Sequence, residues 1–285
     1  MITRRDFLQF SAAALGSLAL RDSLFAAAGK FPLGVQLYTL REQAEQDLNA
    51  VLAHISMIGY TEVETYWNVY THPAKKLRSM ILDNGLSVPS GHFNYEGLES
   101  KLEYAKELGV QYVVCPMLPK DMWTSADGFK KAADQFSKWG ETVHGMGMQF
   151  GFHNHNYEFQ KFGNTTGFDI LTKETDPKLV CLEMDCYWIT QAGLDPVAML
   201  KKYGSRIQLL HLKDRKAGFP TSQMLDPSAE HFTEVGSGTI NWKAVIDTAQ
   251  QTGVKHYFVE RDSGSTPAFE SLRISYDYLS KLLKS

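Results

Sequence analysis

Eight short apolar runs, each followed by a longer amphipathic stretch, set the fold open to this chain. The strand-like runs are Leu33–Leu37, Glu62–Thr65, Ser87–His92, Tyr112–Pro116, Gln149–His153, Val180–Asp185, Ile207–Leu212 and Tyr257–Glu260. The helical patterns between and after them are Asp47–Ile58, Ala74–Asn84, Leu98–Leu108, Ala126–Met146, Phe168–Thr175, Pro196–Tyr203, Trp242–Thr252 and Phe269–Leu283. Glycines at 59, 85, 109, 147 and 253 stand where helices should stop, as expected of helix C-termini. Strict alternation over one uninterrupted chain predicts a single-domain α/β protein, a (β/α)₈ TIM barrel. A doubly wound sheet is disfavoured because Tyr38-Thr39-Leu40-Arg41, after the first strand, contains no phosphate-binding glycine.

The first residues stand apart from this pattern. Arg4-Arg5, a short apolar stretch from Phe10 to Leu20 and Ala26-Ala27-Ala28 have the form of a twin-arginine export signal. Residues 1–28 are therefore expected to be a signal peptide, 29–285 the barrel, and the mature location periplasmic. A membrane tether would arise only through an uncleaved signal. The 285 residues, 44% of them hydrophobic, suffice for a full core, and a formal charge of -3 argues against nucleic acid as a partner. A small carbohydrate suits that balance, and homo-oligomerisation is left open. Cys115, Cys181 and Cys186 form no CxxC pair and are expected as reduced core residues.

In such barrels the C-terminal ends of the strands carry the chemistry. Four of them end in polar residues that can bind metal: His153-Asn154-His155 with Glu158, Glu183-Met184-Asp185, His211-Leu212-Lys213-Asp214, and Glu260-Arg261-Asp262. Alternation along a strand puts Glu183 with Asp185, His211 with Lys213, and His153 with His155 on common faces. Mixed carboxylate and imidazole ligation suits one divalent metal among Mn²⁺, Fe²⁺, Co²⁺ and Zn²⁺. Glu64 and His92 are candidates to contact substrate hydroxyls or to brace ligands, and Arg261 is a candidate substrate contact. Trp67, Trp123 and Trp188 offer aromatic faces for a sugar ring. The interval between His211 and Glu260 is about twice the ordinary βα spacing, which predicts a long loop over residues 214–240 that folds over the site as a lid.

The runs Gly34-Val35-Gln36-Leu37-Tyr38-Thr39, Gly59-Tyr60, Ser90-Gly91-His92, His-Asn-His-x-x-Glu-Phe, His211-Leu212-Lys213-Asp214 and Val235-Gly236-Ser237-Gly238 resemble, in this order, the xylose isomerase-like barrel superfamily. That group includes sugar epimerases, inosose and dehydroshikimate dehydratases, and endonuclease IV. The resemblance implies a metal held by Glu158, Asp185, His211 and Glu260, with His155 as a proton-transfer residue and Lys213 as an electrophile or second base. Many relatives have a Glu-Asn-His where this chain has His153-Asn154-His155, so either Glu158 or His153 takes the ligand place on the fifth strand, with Glu158 favoured.

The chemistry implied is proton abstraction next to a carbonyl through an enediolate, with His153, His155, Glu158, Lys213 and Glu260 as candidate catalytic groups. The leading expectation is a metal-dependent sugar isomerase or epimerase. Alternatives are a 3-keto-glycoside lyase or related dehydratase working by β-elimination, and a non-catalytic carbohydrate-binding barrel.

Overall fold

The computed structural model describes residues 32–225 and 231–283; the proposed signal peptide lies outside them. The eight predicted strands form: β1 Leu33–Gln36, β2 Glu62–Thr65, β3 Ser87–His92, β4 Tyr112–Cys115, β5 Gln149–His153, β6 Val180–Asp185, β7 Ile207–Leu212 and β8 His256–Val259. Each pairs in parallel with its chain neighbours, and β1 closes on β8 through Leu33, Gly34 and Val35 facing Tyr257, Phe258 and Val259. The barrel is packed rather than hollow: Tyr112, Val114, Cys181, Leu209 and Phe258 fill its interior. Directly above Cys181 and Leu209, two residues further along their strands, stand Glu183 and His211. The site therefore rests on a dry apolar floor.

Most helices occupy the expected segments. Pro196–Tyr203 and Trp242–Thr252 match to the residue, and the latter ends on Gly253 in the left-handed conformation (φ 89°), where a side chain would be strained. The helix expected from Asp47 begins earlier, at Arg41, and runs to Ile58 with a break at Asp47 (φ -156°, ψ 92°). The Asp47 carboxylate accepts the Ala50 N–H at 3.0 Å, so it caps the second half of a broken helix. Leu98–Leu108 divides into a 3₁₀ turn, Leu98–Lys101, and a short helix, Leu102–Leu108. Cys115, Cys181 and Cys186 are free and buried, as expected. No described helix is long and apolar enough to cross a membrane.

The described parts of the long segment after β7 bring Leu225 and Phe232 to the cavity, as a cover over the site requires, and are anchored to the barrel. Asp214–Arg215 pairs antiparallel with Phe232–Thr233, and the fully buried Asp214 carboxylate gathers the return of the chain. It accepts from the N–H groups of Arg215 (2.8 Å), Gly236 (2.9 Å), Gly238 (3.1 Å) and Ile240 (3.3 Å), and from Trp242 Nε1 (2.8 Å). A Cβ at residue 238 would lie 2.2 Å from Asp214 Oδ1, so only glycine allows this approach. Two sequence motifs, Lys213-Asp214 and Gly236-Ser237-Gly238, are thus the two halves of one anchor. Further out, Asn156 Nδ2 donates to the carbonyls of Ser222 and Met224, both at 2.9 Å, and ties the segment to the loop after β5.

Removing the Asp214 carboxylate would leave several buried N–H groups without an acceptor, at a cost of about 3–5 kcal/mol. Asp214→Ala should lower Tm by about 10 °C in a thermal melt. Asp214→Asn should recover only part of that loss, because its amide presents hydrogens to donors.

Candidate active site

A cavity of about 560 Å³ opens at the C-terminal ends of the strands, with His92, His153, His155, Trp188, Lys213 and Glu260 in its lining. Below and among them lie five carboxylates, Glu64, Glu183, Asp185, Glu260 and Asp262, and the buried ammonium of Lys213. Burying so much like charge is costly unless cations balance it, and the arrangement of the histidines shows how it is balanced.

His211 lies between two carboxylates: its Nε2 is 2.7 Å from Glu64 Oε2 and its Nδ1 is 2.9 Å from Glu260 Oε2. Glu64 is itself held by Gln36 Nε2 at 2.7 Å and by the Ser90 hydroxyl. Glu183 Oε2 is the hub of the inner layer, 2.7 Å from His92 Nε2, 3.2 Å from His153 Nδ1 and 3.3 Å from His211 Nε2. Each of His153 and His211 therefore has one nitrogen turned to an inner carboxylate and the other turned upward.

The upward atoms, His153 Nε2 and His211 Nδ1, converge with Asp185 Oδ2 and Glu260 Oε2. Their separations are 3.9 Å (His153 to Asp185), 4.0 Å (His211 to Asp185) and 2.9 Å (His211 to Glu260). Ligand bonds of roughly 2.1 Å around one ion place neighbouring donors about 3–4 Å apart. Asp185, His211 and Glu260, whose ligand atoms lie within 4.8 Å of one another, fit a divalent metal, with His153 Nε2 beside Asp185 as a further donor. Asp185 supplies an independent sign. Its Oδ1 accepts the Trp188 N–H at 3.0 Å, capping the helix Cys186–Gln191, while its buried Oδ2 makes no hydrogen bond and has the Lys213 ammonium, 3.2 Å away, as its nearest counter-charge. The inner carboxylates set the histidine tautomers, an arrangement typical of metal-binding imidazoles.

Charge states follow from the same contacts. Burial, with help from His211, pushes His153 down to about 3, so its imidazole is neutral and free to donate a lone pair. Burial raises Asp185 to about 6 against the pull of Lys213 and His211. Burial opposes charge on His211, but Glu183 and Glu260 outweigh it and hold the ring well above the ordinary histidine range. Burial also opposes charge on Lys213, which Asp185, Asp262 and Glu260 override; its Nζ lies 3.2, 2.9 and 2.7 Å from them. His155 is held well below its usual value, first by burial and then by His153 and Lys213. Its Nδ1 is buried without a partner, and its ring lies against Trp188 with centroids 5.1 Å apart. Lys213 Nζ lies 5.6 Å from the same indole.

Several expectations need correction. Of the two fifth-strand candidates, the structure brings His153 to the cluster and not the favoured Glu158. Both Glu158 carboxylate oxygens accept the His155 N–H at 3.1 Å, an orientation fixed by the 3₁₀ turn Tyr157–Phe159. Glu158, pushed up to about 8 by burial, thus positions the His155 backbone. Arg261 does not line the cavity: as the residue after the inward Glu260 it points outward, paired with Glu234 at 2.6 Å and with the Thr266 carbonyl. Trp123 packs edge-on against Tyr157 and does not line the cavity, whereas Trp67 and Trp188 do. Glu64 braces His211 and is fully buried, out of reach of the cavity. Asp262 holds Lys213, accepting from its Nζ at 2.9 Å. The central place of Glu183 was not foreseen, although its face is shared with Asp185.

The family model described as "Xylose isomerase-like TIM barrel" matches residues 52–281. An inosose dehydratase of Geobacillus thermodenitrificans is 24% identical over 253 residues, 77% of this chain and 84% of that protein. The solved structure of a sugar phosphate isomerase/epimerase from Parabacteroides distasonis has a TM-score of 0.73 at 27% identity, covering 88% of this chain and 94% of that one. The IOLI protein solved with a bound zinc atom shares the fold at TM-score 0.68 and 17% identity, covering 89% and 98%.

Two measurements test the metal reading. Glu183→Gln should weaken Zn²⁺ or Mn²⁺ binding by about 10- to 100-fold in a calorimetric titration, while Glu158→Gln should leave it nearly unchanged. Since His211 is held protonated without metal, binding at neutral pH should expel a proton. The apparent enthalpy should then vary with the ionisation enthalpy of the buffer, and affinity should fall as pH drops through the Asp185 range near 6.

Proposed function

Because the chain belongs to the xylose isomerase-like TIM-barrel family, we propose that it is a metal-dependent enzyme acting on a carbohydrate by removing a proton beside a carbonyl and then expelling a β-oxygen substituent, as a dehydratase or lyase. The observation that carries this reading is the unequal pair flanking Trp188: a neutral base, His155, and a charged acid, Lys213. His155, whose ring lines the cavity, takes the proton from carbon. The electron pair left behind passes to the carbonyl oxygen as an enolate. When that enolate collapses, the carbon–oxygen bond at the β position breaks and Lys213 gives a proton to the departing oxygen. A divalent metal, when held by His153, Asp185, His211 and Glu260, supplies the positive charge that favours the enolate. Glu260 and Asp262 keep Lys213 charged, and Glu158 fixes the backbone of His155. The likeness to inosose dehydratases points the same way.

A second reading, sugar isomerase or epimerase, shares the first step and differs in returning the proton to carbon. The likeness to the Parabacteroides protein supports it. In epimerisation Lys213 would return a proton to carbon from the opposite face instead of giving it to a departing oxygen. A purely binding barrel has no need of a neutral histidine beside a buried, charged lysine. Export through the twin-arginine route, from Arg4-Arg5, is part of the proposal and would place the reaction in the periplasm.

The test is incubation of Mn²⁺-loaded protein with inososes, ketoses, aldoses and 3-keto-glycosides in D₂O, followed by NMR. Loss of water or release of an aglycone supports elimination, an isomeric sugar supports the second reading, and absence of both deuterium uptake and product contradicts the enzymatic claim. His155→Gln should reduce turnover by about 10²–10⁴-fold with metal loading retained. Lys213→Met should cost a similar factor for alkoxide leaving groups and much less for a nitrophenolate, which departs without a proton.

A further inference from the structure

A second cation lines the cavity, and the chemistry above makes no use of it. Arg41 follows β1 by five residues, at the first turn of the helix Arg41–Ile58. Lys213 has three carboxylates around it; Arg41, among the described residues, forms no ion pair. Its Nη1 donates to the Tyr38 carbonyl and its Nη2 to the main-chain carbonyl of Asp262, both at 2.9 Å. The guanidinium also lies over the Tyr38 ring, 4.5 Å from the centroid. A guanidinium has five N–H donors, so three stay unassigned among the described residues. The two carbonyls and the ring fix its plane without cancelling its charge, which suits the forked recognition of an oxyanion.

Position narrows the ligand further. Asp262 joins the two cations, its carboxylate on Lys213 and its main-chain carbonyl on Arg41. The acid and the fork are thus bridged by a single residue, each 2.9 Å from it. A sugar ring whose leaving oxygen meets Lys213 would direct a charged substituent toward Arg41.

We infer that Arg41 is a substrate-binding residue that selects sugar acids, its guanidinium pairing with the carboxylate of a uronate-type ring. This rests on the proposed carbohydrate pocket but not on the elimination step. A purely structural Arg41, clamping the loops after β1 and β8, would affect stability and show no selectivity between charged and neutral sugars.

The experiment is calorimetric titration of the metal-loaded protein with three matched pairs: glucuronate and glucose, galacturonate and galactose, mannuronate and mannose. At least one acid should bind about tenfold or more tightly than its neutral partner. In Arg41→Gln that preference should shrink to about twofold or less while affinity for the neutral sugar and the Tm persist. Arg41→Lys, which keeps the charge and loses the fork, should retain part of the preference and serves as the readout if the glutamine variant unfolds. Equal binding within all three pairs, or a preference that survives in both variants, overturns the inference. Tighter binding of glucose 6-phosphate than of glucuronate, lost with Arg41, assigns the fork to phosphate and overturns the carboxylate claim. Uronate preference without any elimination leaves Arg41 in place and removes the catalytic reading; no binding of any sugar removes the pocket reading and this one with it.

Discussion

Five carboxylates share the mouth of this barrel with one lysine, and the molecule is organised around making that burial tolerable. Glu183 Oε2 and both Glu64 oxygens are met from the inside by His92, His153, His211, Gln36 and Ser90. Glu260 and Asp262 are satisfied from the outside by Lys213. Asp185 Oδ2 makes no hydrogen bond and has the Lys213 ammonium, 3.2 Å away, as its nearest counter-charge, in a position where a further cation would complete the balance. An ion there would leave every strand-end charge compensated, so metal affinity and barrel-mouth stability are two views of one electrostatic problem.

The same contacts divide labour among residues that are neighbours in sequence. On β6, Glu183 points to the inner layer and orients histidines, while Asp185, two residues on, both caps the helix that carries Trp188 and offers its second oxygen to a metal. After β7, Lys213 enters the cavity and Asp214 turns away to hold the returning loop on Gly236 and Gly238. After β5, His155 is the candidate base and Glu158 grips its backbone. Alternation along a strand separates catalysis from support at almost every step.

Much of this was legible in the sequence. The eight strands follow from apolar runs bounded by glycines, and the convergence of Asp185, His211 and Glu260 follows from period-two alternation at the ends of strands that must point into a closed barrel. What failed was local. Glu158 lies in a 3₁₀ turn whose direction no periodicity reveals, so the choice between it and His153 required coordinates. Arg261 and Trp123 were placed by strand-end proximity alone, and a single residue of alternation sends Arg261 outward. Glu183 was visible as a face partner of Asp185, but its role depends on three histidines from β3, β5 and β7, a conjunction spread over 119 residues between His92 and His211. Pairings so far apart in the chain leave no short-range pattern.

The most direct test of the metal centre is anomalous diffraction from crystals of the Mn²⁺- or Zn²⁺-loaded protein. A single strong peak bonded to His153 Nε2, Asp185 Oδ2, His211 Nδ1 and Glu260 is the expected result, with Glu183 and Glu64 still hydrogen-bonded to the far sides of the imidazoles. A peak on Glu158, or a metal-loaded protein whose ion avoids Asp185 and His211, would contradict it.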